Sequence, residues 1–301
     1  MEYARYPDQA GTLRQLSRKT EMDHCMTQTI ASAPRVMSVT SGKGGVGKTV
    51  CVANLAVTMA KQGYRVLVID ADLGLANIDL YFGVSPRFNL NHFFSGQKPL
   101  EDILTPASEK ITILPAGSGV QQYTRLKSDQ KLCFMEGLDS MHDRFDVVLI
   151  DTEAGISENV TYFNVAAQEI VVVTTPEPTS ISDVYALMKL LSTKYYEKCF
   201  KLIVNCVTSE NEALDVYHKL TLVSNRFIDI SIDFLGAIPL DPGFTESVRR
   251  QKTLVELFPG SGPSLAFADL VDAMELDTEK IGPKGTQQFF WKRLLADTHA
   301  R

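Results

Sequence analysis

No apolar run in this chain approaches the ~18 residues that span a bilayer, and the opening MEYARYPDQAG holds no apolar signal core. A cytoplasmic protein is therefore expected, reaching a membrane only from outside the bilayer. Paired cysteines are also missing. The five present, Cys25, Cys51, Cys133, Cys199 and Cys206, make no C-x-x-C pair and no Cys/His cluster, which excludes a zinc or iron-sulfur site and points to free thiols. A positive balance is absent too. The net charge of -6 argues against a general nucleic-acid coat and leaves room only for local basic patches. There is no internal repeat and no low-complexity tract. What remains is 301 residues, 45% hydrophobic and 22% charged, enough to bury a full core.

Apolar runs rich in Val and Ile recur along the chain. Residues 36–40, 65–70, 111–116, 146–151, 169–175, 201–207 and 233–239 read as strands. Most are apolar throughout rather than alternating, as in strands covered on both faces. Helical patterns lie between them at residues 49–62, 129–142, 180–195 and 212–225. The expectation is a doubly wound, mostly parallel α/β sheet of about seven or eight strands with helices on both faces. Three regions follow: a polar tail over residues 1–34, a core over 35–280 and an appendage over 281–301.

Between the first strand and first helix lies SGKGGVGKT, which carries Gly42-x-x-x-x-Gly47-Lys48-Thr49. A glycine-rich turn between strand and helix is a phosphate loop: backbone N–H groups of Gly44, Gly45, Val46 and Gly47 and the helix N-terminus surround phosphate oxygens. Lys48 then reaches the β and γ phosphates of ATP, and the Thr49 hydroxyl takes Mg2+. The plainer alternative is a glycine-rich turn with a surface lysine. Lys43 is a second lysine, placed where the bound nucleotide's own cradle does not use it.

The K-G-G-V-G-K-T run resembles the deviant Walker family of ATPases, in which the earlier lysine crosses to the partner subunit's nucleotide. That resemblance implies a homodimer formed with ATP. The alternative is a solvated loop lysine. IDADLGLANIDL resembles the family's first switch region, where Asp72 is expected to position the attacking water. Asp70 is expected to support the magnesium shell; helix capping is the alternative for such a strand-end pair. In DVVLIDTEAGIS, Asp151 takes the place of the Walker B carboxylate and Gly155 that of a backbone N–H sensing the γ phosphate, while Glu153 departs from the usual apolar residue or proline. Asn205 and the turn Pro239-Leu240-Asp241 match positions that hold adenine; taken alone they are loop residues.

The resemblance covers residues 35 to 275 and is nearest to the MinD group. Ahead of it, Asp8-Gln9-Ala10-Gly11-Thr12-Leu13-Arg14 looks like the head motif of the FlhG family, also called FleN or YlxH, which limits flagellar number. In a helix, Gln9, Leu13 and Leu16 share one stripe beside Arg14. By resemblance, Asp8, Gln9, Ala10, Leu13 and Arg14 dock on an FlhF-type GTPase, with Gln9 orienting its nucleophilic water. A frayed polar tail is the alternative. The family further implies flagellar switch or C-ring proteins of the FliM/FliN type, a master transcription activator of the FleQ/FlrA type and a polar location, without direct sequence-specific DNA binding.

A C-terminal helix would place Phe290, Trp291, Leu294 and Leu295 on one face with Lys292 and Arg293 beside them and Phe289 off the arc. Such a helix suits an anionic membrane surface; its alternative is permanent packing on the domain. Arg249, Arg250 and Lys252 form a cluster that is either a solvated face or part of a partner surface. Rival readings are a cell-division MinD, a ParA-type partitioning ATPase, which needs a basic face, and a nitrogenase-type iron protein, which needs paired cysteines.

Overall fold

The computed structural model describes residues 33–74, 76–117, 126–276, 284 and 288–290. In chain order the elements are β1 (Arg35–Thr40), α1 (Lys48–Lys61), β2 (Val66–Ala71), α2 (Ile78–Phe82), α3 (Leu90–Phe94), α4 (Leu100–Ile103), β3 (Thr105–Pro106) and β4 (Ile111–Leu114). Then come α5 (Ser128–Asp139), β5 (Val147–Thr152), α6 (Glu158–Ala166), β6 (Glu169–Thr174), α7 (Pro178–Tyr195), β7 (Cys199–Val207), α8 (Glu210–Phe227) and β8 (Ser231–Pro239). The last are α9 (Gly243–Arg249), α10 (Leu254–Leu257) and α11 (Gly262–Ala273).

The strands form one eight-stranded sheet in the order β3-β4-β2-β5-β1-β6-β7-β8. Every pair is parallel except β3 with β4. All six residues of β2, β5 and β6 are buried, which is why their sequences are apolar without alternation. One face packs on α1 and α11 through Val52, Leu55, Phe267 and Leu270. The other is covered by α5 to α8 through Phe134, Phe163, Val184, Leu187 and Leu220. Successive strands leave β1 in opposite directions, so a crevice opens beyond its carboxyl end, where open α/β sheets bind ligands.

All seven expected strands are present. The two-residue β3 and the short helices α2, α3 and α4 escape the sequence reading, since five residues or fewer cannot display a helical period. No helix among the described residues is long and apolar enough to cross a membrane.

The C-terminal segment departs from expectation. Phe290, assigned to a membrane-facing stripe, is fully buried in the core, and so is Phe289. The Phe289 ring meets Phe134, Tyr162 and Phe163 at centroid distances of 5.8, 5.8 and 6.2 Å, and its N–H donates to the Ala166 carbonyl at 2.9 Å. Lys284 anchors the other end on Glu197 at 2.9 Å. The reason is geometric: residues 289 and 290 lie in a turn, Phe290 at φ 59, so helical spacing does not apply and both rings face inward. Residues 288–290 thus belong to the core rather than to a separate appendage; Trp291, Lys292, Arg293, Leu294 and Leu295 lie outside the described residues. Phe289→Ala is expected to lower stability by about 3–5 kcal/mol in urea unfolding, whereas a side chain serving only a membrane would leave the midpoint unchanged.

Candidate nucleotide site

The loop joining β1 to α1 opens at the sheet's crevice, and α1 begins without a cap. Gly47 at its N-cap supplies no side-chain acceptor, and no acidic residue occupies the first turn. The leading N–H groups and the positive end of the helix dipole are thereby left to an anion. Gly45 and Gly47 adopt φ of 82 and 86, the left-handed region that favours glycine. Space demands glycine as well: a Cβ on Gly47 would lie 2.3 Å from Asn205 Nδ2, and one on Gly42 2.2 Å from the Asp183 carbonyl carbon. The loop is held between the end of β7 and the start of α7.

Lys48 Nζ donates to Asp151 Oδ1 at 2.6 Å, with both side chains buried. Asp151, one residue before the end of β5, lies beside Asp70 on β2, its registered neighbour. The ammonium is bonded to Asp151, and Asp70 stands next to that pair as a second buried carboxyl. Asp70 answers by taking a proton more readily: burial, reinforced by the charge of Asp151, pushes its pKa up to about 8. Its oxygens also accept N–H groups from Asp72 at 3.1 Å, Asn77 at 3.2 Å and Ile78 at 3.3 Å. Asp70 thus pins the switch segment and the start of α2, the capping role weighed for it above. Thr49 is partly exposed in the first turn of α1.

Asp72 is partly exposed just past the strand, and its Oδ1 accepts from the Gly74 N–H at 3.2 Å. Across Gly74 stands Glu153, bonded to the Ser157 hydroxyl at 3.0 Å. A second carboxylate therefore borders the place expected for the attacking water. Gly155 is bonded elsewhere in this structure. Its N–H, expected to face a γ phosphate, donates instead to the Ser41 carbonyl at 2.9 Å, and its φ of 95 turns the chain back onto the loop.

Asn205 reaches over the loop to donate from Nδ2 to the Val46 carbonyl at 2.8 Å, while its buried Oδ1 has no partner among the described residues. An acceptor of this kind fits an amino donor such as that of adenine. Register places Val207 opposite Pro239, which brings the turn after β8 to the same corner. Asp241 is bonded there to the Gly243 N–H at 2.7 Å. Lys43 turns away from the cradle: its Nζ donates to Glu177 at 2.7 Å and to the Thr179 hydroxyl at 3.1 Å, at the start of α7. Glu177 and Thr179 went unnoticed in the sequence, because nothing in a Pro-Glu-Pro turn signals a contact with Lys43, 134 residues away. Asp8, Gln9, Ala10, Leu13 and Arg14 lie outside the described residues.

A family profile described as "AAA domain" matches residues 34–202. The antiactivator FleN of Pseudomonas aeruginosa is 38% identical over 261 residues, 87% of this chain and 93% of that protein. The flagellum site-determining protein YlxH of Helicobacter pylori is 34% identical over 266 residues, 87% of this chain and 90% of the other. Among solved structures, the septum site-determining protein MinD of Pyrococcus horikoshii complexed with Mg-ADP superposes with a TM-score of 0.67 at 27% identity, over 80% of this chain and 96% of that one. These relatives span nearly their whole length on the sheet and loop just described. The chain belongs to the FleN/FlhG branch of the MinD/ParA-type P-loop ATPases.

Proposed function

We propose that this ATPase is an Mg-ATP-dependent dimerising switch that sets flagellar number. The observation that carries the reading is the contrast between two lysines of one loop: Lys48 buried against Asp151, and Lys43 held at the surface by Glu177. The first serves hydrolysis within the chain. The second is available to a facing subunit.

The residues fit the nucleotide. The uncapped start of α1 suits phosphate oxygens, and the unpaired Asn205 Oδ1 suits an adenine amino group, with Pro239 and Asp241 beside it. Magnesium typically keeps several waters and one or two protein oxygens beside phosphates; Thr49 would ligate it directly, with Asp70 and Asp151 bonded to its waters. Bound there, it would neutralise charge gathering on the transferred phosphate. Lys48 exchanges its contact with Asp151 for the β and γ phosphates, and Asp72 orients the water. Gly155 reaches a γ phosphate only after releasing Ser41, a movement of the kind that switch loops undergo.

The names of the relatives support a flagellar role. In this reading residues 8–14 stimulate an FlhF-type GTPase, while flagellar switch proteins and a transcription activator are further partners. Membrane contact falls to residues 291–295 rather than to Phe290, since Phe289 and Phe290 tether that segment to the core. The protein would then be cytoplasmic and reversibly peripheral, at a cell pole.

Asp72→Ala, which blocks hydrolysis, is expected to give a dimer mass with Mg-ATP and a monomer mass with Mg-ADP in light scattering; equal masses would dispose of the switch. Lys43→Ala should retain ATP binding by the monomer and lose the ATP-dependent dimer, and a dimer that persists removes its role across the interface. Gln9→Ala should reduce stimulated GTP hydrolysis by the partner with ATP hydrolysis unaltered, so full stimulation by the variant excludes Gln9 as the orienting group.

A further inference from the structure

A groove among the described residues lies at the end of the sheet opposite the phosphate loop and has a volume of about 710 Å³. It is bounded by the C-terminal end of α1, the start of β4 and the turn between α9 and α10. Four cations from three parts of the chain border it: Lys61, Lys110 and the pair Arg250 and Lys252. Two carboxylates, Glu109 and Glu256, line it with them, and Glu246 pairs with Arg250 at 2.6 Å from beside the groove, which leaves a surplus of positive charge. The imbalance is notable on a protein whose net charge is -6.

The floor is apolar, made by Val57, Phe82 and Ile111, which pack into the core of that face of the sheet. The shape is braced. Gly83 at φ 62 ends α2 where an added Cβ would lie 3.1 Å from the Gln251 carbonyl oxygen, and Gln251 itself takes φ 51. Lys61 and Lys110 are fixed by the carbonyls of Val255 and Gly63 at 2.9 and 2.8 Å, so these charges are held in place rather than free in solvent.

We propose that this groove docks an acidic peptide segment of a partner protein, seating one apolar side chain on the floor with carboxylates reaching the cations on either side. Charge complementarity selects an anionic occupant, and the recessed apolar floor selects among anions. A flat lipid surface does not reach into a groove, and a nucleic-acid backbone prefers a continuous cationic track, which Glu109 and Glu256 interrupt. A peptide meets both demands, with side chains giving specificity and charge steering the encounter. The site stands roughly 20 Å from the phosphate loop, the length of the 14-residue α1. Partner and nucleotide can therefore be bound together, and the proposal does not depend on the flagellar reading.

The test selects peptides of about a dozen residues from a random display library on the immobilised full chain, then measures their affinity for that chain and for a Lys110→Glu/Lys252→Glu variant. Both positions are exposed and outside the nucleotide site. The expected result is a set of peptides with acids flanking an apolar residue, bound at least about tenfold more weakly by the variant and more weakly in added salt. ATP hydrolysis and thermal midpoint should match between the two proteins. Recovery of no peptide, recovery of peptides without acidic enrichment, or equal affinity for the variant would overturn the proposal. So would a variant that keeps peptide binding and loses phosphatidylglycerol vesicles or heparin, which would assign the groove to a membrane or a nucleic acid.

Discussion

The contact between Lys48 and Asp151 organises the site around it. An ammonium and a carboxylate buried together tolerate that setting only as a pair, and removing one partner from such pairs typically costs about 3–5 kcal/mol. The strand register then adds Asp70 next to Asp151, a second buried carboxyl that Lys48 does not contact. Three backbone N–H groups and a raised proton affinity accommodate Asp70. Opposite stands the uncapped start of α1, with donors and no acceptor. One side of the site has carboxylates in excess and the other has N–H groups in excess. A divalent cation bound to phosphates satisfies both at once, since the cation meets the carboxylates and the phosphates meet the helix.

The loop's shape depends on elements distant in sequence. Asn205 closes over Gly47 from the end of β7, and Asp183 leaves no room for a side chain at Gly42. The start of α7, which presses on the loop at Asp183, also holds Lys43 through Glu177 and Thr179. On the other side the Gly155 N–H ties the turn after β5 to Ser41. The loop therefore touches both α7 and that turn, so the three form one contiguous set of contacts.

The strands were legible in the sequence because a parallel sheet covered on both faces leaves long apolar runs with no other stable use, and the phosphate loop because its glycines and lysine are contiguous. Less was visible where a role depends on two distant segments. Nothing local marks the Glu177 contact with Lys43 or the Ser41 contact of Gly155. Phe289 and Phe290 went astray for another reason. A helical wheel assigns faces only if the segment is a helix, and the turn at Phe290 together with the aromatic cluster of Phe134, Tyr162 and Phe163 turns both rings inward.

The two lysines of the loop differ in how firmly they are committed. Lys43 and Glu177 are paired in solvent, with side-chain exposures of 40% and 63%, and exposed pairs of this kind contribute about 0–1 kcal/mol. Lys43 thus leaves its partner at small cost. A charge-assisted hydrogen bond to a phosphate is worth ~1.5–3 kcal/mol, more than the contact it replaces. Lys48 has no such freedom, because its departure strands Asp151 in the core unless another cation takes its place. Its release accordingly requires a phosphate to receive the ammonium together with a cation, such as one bound to that phosphate, to face Asp151. In a face-to-face dimer, bound nucleotide would thus be a condition for moving Lys48 and a destination for the partner's Lys43. Five positions apart in the chain, the lysines are set apart by burial: Lys48 is paired with Asp151 inside the core, and Lys43 with Glu177 in solvent.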